Sequence, residues 1–73
     1  MKTKNEKSNN NYYIYEKDNK LCGRKITYQK NLIEEINKDS NGKFKDFLSN
    51  NKFDDFVSSA KEQGYIIYKI IEL

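Results

Sequence analysis

Histidine is missing from this sequence, and with it the side chain that most often moves protons near neutral pH. Proline and tryptophan are missing too, glycine occurs three times, and Cys22 is the only cysteine. One cysteine excludes an intramolecular disulfide and suits a reducing cytoplasm, the expected compartment. Cys22 is followed by Gly23, Arg24 and Lys25, cations that favour a thiolate. A nucleophilic role would still need a carboxylate or lysine as base, so a structural, partly buried thiol is the simpler reading. No glycine-rich loop is present to cradle a phosphate. Glu34-Glu35 and Asp54-Asp55 are adjacent pairs on expected helices, where neighbours diverge by about 100° and do not converge on one ligand. The reading is therefore of a non-enzymatic protein with no cofactor and no metal.

Long hydrophobic runs are also lacking. The most apolar stretch, Tyr65 to Leu73, is interrupted by Lys69 and Glu72 and falls short of the roughly 20 residues a membrane helix needs. At the N-terminus the lysines run into Ser8 and three asparagines where a secretory signal would carry its apolar segment. Neither export nor a membrane partner is expected. The surplus of Asn, Lys and Ile points to AT-rich coding DNA.

What the chain has is segregated charge. Residues 1–30 hold eight Lys/Arg against three Asp/Glu, a net of +5, whereas residues 31–73 hold six against eight, a net of −2. A patch of one sign steers an oppositely charged partner over nanometre distances, so the asymmetry points to an interaction surface.

Residues 1–11 carry no apolar side chain after Met1, cannot offset their ordering entropy by burial, and read as a flexible basic arm before a single domain over 12–73. From Tyr12 the aromatic and β-branched content rises, and Asp18-Asn19 separates two short runs. This predicts a β-hairpin with strands near 12–17 and 20–26, in which Tyr12, Ile14 and Glu16 share one face and Tyr13, Tyr15 and Lys17 the other. Gly23 suggests a bulge. Thr27 is placed to cap a helix reaching about Asp39, with Leu32, Ile33 and Ile36 as its apolar stripe and Asn41-Gly42 as its stop.

A nine-residue repeat follows. Lys43-Phe44-Lys45-Asp46-Phe47-Leu48-Ser49 recurs as Lys52-Phe53-Asp54-Asp55-Phe56-Val57-Ser58. Nine residues turn a continuous helix by about 900°, placing the second phenylalanine pair opposite the first. A break at Ser49-Asn50-Asn51 removes that conflict and predicts helices over 43–49 and 52–63, the second capped by Asn51 with Asp54 in its first turn. The rival is one straight helix whose second phenylalanine face is covered by a dimer partner. Phe53, Phe56, Val57 and Ala60 form a core stripe, and Gly64 ends the helix. Residues 65–72 read as a strand, central or at one edge under the helices, pairing beside the first. The fold class is α+β, a small three-stranded antiparallel sheet with short helices packed on one face, in the order β-β-α-α-α-β. The pattern from Phe53 to Tyr65 resembles the helix end of Nif11-type leader peptides over about a fifth of the chain; it lacks their glycine-rich cleavage site, and no function is taken from it.

The expected contact residues are Tyr13, Tyr15, Lys17, Lys20, Arg24, Lys25 and Tyr28, with Lys2, Lys4 and Lys7 of the arm. Two uses fit them. Exposed tyrosines would anchor a larger protein, in the way a phage or plasmid accessory protein occupies a surface of host machinery or of a defence nuclease. Alternatively, cations interleaved with rings would bind single-stranded nucleic acid, although one arginine gives little base readout. The simplest alternative is a solvated hairpin whose tyrosines pack on the core. A homodimer paired through the last strand is the third arrangement.

Overall fold

The computed structural model describes residues 11–50 and 52–71. The chain forms β1 (Asn11–Lys17), β2 (Lys20–Ile26), α1 (Gln29–Asp39), α2 (Phe47–Asn50), α3 (Phe53–Glu62) and β3 (Tyr65–Ile71). The strands make one antiparallel sheet in the order β2-β1-β3, with the helices on one face. The fold class is the one expected, and β3 takes an edge beside β1. The basic arm lies outside the described residues except for Asn11, which opens β1.

Asp18 and Asn19 both adopt positive φ, 54° and 65°, the two-residue turn whose twist matches that of a hairpin. From there the β1–β2 register runs regularly to Tyr15↔Cys22 and then shifts, so that Tyr13 pairs with Ile26. Two extra residues of β2 are absorbed around Gly23, where the bulge was expected. The β1–β3 register is unbroken over seven pairs, from Asn11↔Ile71 to Lys17↔Tyr65.

Helix α1 buries Leu32, Ile33 and Ile36. Its N-cap is Tyr28 and not Thr27: Tyr28 has extended backbone angles and its carbonyl accepts the Leu32 amide at 3.1 Å, with no side-chain cap. At the other end the Gly42 amide donates to Asn37 O at 2.8 Å and the Asn41 amide to Lys38 O at 3.2 Å. This paired closure needs a left-handed residue, and Asn41 supplies it at φ 62°.

The first half of the repeat is not a helix over 43–49. Residues 43–46 are turns and α2 begins at Phe47. The Phe44 amide donates to Asn37 Oδ1 at 2.8 Å and the Lys43 amide to Ser40 Oγ at 3.3 Å, so side chains at the end of α1 claim the donors that a helical start would leave open. The expected cap Asn51 lies outside the described residues; Lys52 is the N-cap of α3, and its amide donates to Asn50 Oδ1 at 3.1 Å. The break does what the nine-residue period requires. Phe44 and Phe56 meet edge to face at 5.4 Å between ring centres, and Phe47 and Phe53 lie 5.8 and 5.9 Å from Phe56. All four rings thus enter one core, together with Tyr13, Tyr15, Ile26, Ala60 and Tyr65.

Candidate interaction surface

Alternation along β1 sends Tyr13 and Tyr15 toward the helices, and both are 8 % exposed. The Tyr13 ring lies 5.5 Å from Phe53 and its hydroxyl accepts from Gln29 Nε2 at 3.3 Å. The Tyr15 ring lies 6.0 Å from Tyr65, and burial, aided by a hydrogen bond with Cys22, pushes its hydroxyl pKa up to about 12. These two tyrosines are core residues and cannot be the exposed anchors expected of them, because the pleat that sends Tyr12 outward turns them inward.

The other expected contact residues are dispersed. Lys17 Nζ sits 4.8 Å over the Tyr65 ring. Lys20 is exposed beside the hairpin turn. Arg24 pairs with Glu35 at 2.6 Å, a solvated bridge of at most about 1 kcal/mol. Lys25 Nζ lies 4.9 Å over Tyr12, on the opposite side of the sheet. Tyr28 is 68 % exposed where β2 turns into α1, on a shallow cleft of about 300 Å³ that Arg24, Lys25, Glu34 and Glu35 also line. The cations are therefore interspersed with carboxylates and form no single basic tract among the described residues.

The structure brings together a different set. On the sheet face away from the helices, three rungs run across the strands: Tyr12 beside Ile70, Ile14 beside Tyr68, and Glu16 between Leu21 and Ile66. Among the described residues no helix covers them. Leu21 is 58 % exposed and Ile66 48 %, while Tyr68 is exposed and Tyr12, Ile14 and Ile70 are half-buried. The Tyr68 hydroxyl donates to Glu16 Oε1 at 2.9 Å, and this bond raises the tyrosine pKa. Among the described residues the face carries one charge of each sign, Glu16 at one end and Lys25 at the other, around an apolar centre.

Sequence reasoning placed Tyr12, Ile14 and Glu16 on one face but missed the site. The signal was the last strand, apolar on both of its faces where a sheet covered on one side needs only one. Among the described residues no helix is long and apolar enough to cross a membrane, and no group of carboxylates and thiol is arranged to hold a metal. No protein family, curated protein or solved structure matches this chain.

Proposed function

We propose that this chain is a small non-enzymatic binding protein that docks on a larger protein through the open face of its sheet. The observation that carries the reading is the row of Leu21, Ile66 and Tyr68 exposed beside Ile14. A contiguous apolar patch rimmed by polar groups is what protein contacts use, and tyrosine is enriched at their energetic centres. Occupying such a patch on a larger protein would inhibit or redirect that protein, the mode of a phage or plasmid accessory inhibitor. Glu16 at one end of the face offsets Lys25 at the other and offers a phosphate backbone no net attraction, which supports a protein over a nucleic acid.

The test is capture from lysate of the host cell, with and without nuclease, by the wild-type chain and by L21K and I66K variants. One protein retained in stoichiometric amount after nuclease, and lost from both variants at unchanged melting temperature, is the expected result. Capture that vanishes with nuclease and with K20E/R24E/K25E would move the function to nucleic acid. Capture indifferent to Leu21 and Ile66 would take the open face out of the contact.

A further inference from the structure

The sheet has two edges, and they differ. The β2 edge carries Lys20, Arg24 and Lys25 and is bent by the register shift opposite β1. Cations and bulges are the ordinary protection of an edge strand against pairing with another chain. The β3 edge has neither a bulge nor a row of charge. Its seven residues, Tyr-Ile-Ile-Tyr-Lys-Ile-Ile, hold an unbroken register with β1, and Lys69 is their only charged residue. Ile71 at its end is 61 % exposed.

Size decides what such an edge is for. Three seven-residue strands, at about 3.3 Å per residue and about 4.8 Å apart, span roughly 330 Å² of sheet. A specific protein interface buries about 800 Å² of accessible surface on each partner, more than the flat area of one chain's open face, so the contact proposed for that face gains from a wider sheet. Six strands would span roughly 670 Å², close to that requirement.

We infer that two copies of this chain join through β3, antiparallel about a two-fold axis, to make one six-stranded sheet whose open apolar face is continuous across the junction. The inference rests on the reading of that face as the contact surface. With the axis at Tyr68, Ile66 of each copy stands opposite Ile70 of the other, so apolar side chains meet on the open face and Lys69 meets Ile67 on the helix side. A second copy is the occupant because it alone extends the face with the same residues; a foreign strand would interrupt it.

The test acts on backbone groups and leaves every side chain in place. Successive amides of a strand point to opposite sides, one into the β1 ladder and the next out from the edge. Two synthetic chains, joined by ligation at Cys22, would carry a single N-methyl group on the amide of Ile67 or of Tyr68. The wild-type chain is expected to sediment as a dimer at about 100 μM. One methylated chain is expected to keep the wild-type melting temperature and sediment as a monomer, while the other loses stability. A monomeric wild type overturns the inference, as does a dimer that survives in the methylated chain of unchanged stability. Leu21 lies on β2, away from the junction, so L21K separates the two readings. A dimeric L21K that captures nothing supports both. A monomeric wild type whose capture is abolished by L21K removes the dimer and keeps the face, and a dimeric L21K with full capture keeps the dimer and removes the face.

Discussion

The hydroxyl of Tyr65, the first residue of β3, donates a hydrogen bond of 2.7 Å to Asp39 Oδ2 at the last residue of α1. Twenty-six residues separate them in sequence. The Tyr65 ring is 1 % exposed and touches Phe44 and Tyr15, with Lys17 Nζ over it. One side chain thus ties the last strand, the first helix, the turn after it and the hairpin.

This bond predicts the response to alkali. Burial first, and then the hydrogen bond with Asp39, raise the Tyr65 hydroxyl pKa well above its ordinary 10, and burial raises Tyr15 to about 12. The folded state therefore holds these protons when the unfolded chain has released them. Their contribution is intact below about pH 10 and is lost as pH climbs through the folded values. Urea midpoints should be level across neutral pH and fall steadily above pH 10. Y65F should lower stability at pH 7 by about 0.5–1.5 kcal/mol and make the alkaline fall shallower. An equal alkaline fall in Y65F would place the titrating group elsewhere.

Phe56 is the ring on which the other three phenylalanines converge, and it is fully buried. Truncation to alanine should cost about 3–5 kcal/mol. A domain of this size has roughly 4–11 kcal/mol to lose, so F56A should be largely unfolded at 37 °C by circular dichroism, while F56L keeps most of the volume and folds.

Asn37 holds the turn that replaces the expected helix start. Its Oδ1 accepts the Phe44 amide, and Phe44 is buried. N37A leaves that donor without its partner and should cost about 1–3 kcal/mol, whereas N37D keeps an acceptor in place and should cost less. Chemical denaturation of both variants decides it; equal losses would mean that packing, and not the hydrogen bond, shapes the turn.

Tyr13 and Tyr28 should separate folding from contact. Y13A removes a buried ring packed on Phe53 and should lower the melting temperature sharply, on the scale of about 3–5 kcal/mol. Y28A trims an exposed ring and should leave the melting temperature within a degree or two. A large drop for Y28A would show that its ring packs on the fold.

Local features of this chain were legible without coordinates because they are set by neighbouring residues. Asp18-Asn19 tolerates the positive φ of the hairpin turn, Leu32, Ile33 and Ile36 share one helical face, and the nine-residue spacing of the phenylalanines forbids one straight helix. Position within β1 also fixed that Tyr12 and Tyr13 face opposite ways, but periodicity has no sign: it does not say which face the helices cover. That choice, which made Tyr13 and Tyr15 core and left Ile14 and Tyr68 on the open face, came from residues far along the chain. Asp39 taking the Tyr65 hydroxyl is likewise a long-range contact, across 26 residues. Neighbouring residues set the elements, their order and the alternation of faces; packing across the whole chain chose which face stays open, because burial is settled by where the rest of the apolar surface goes.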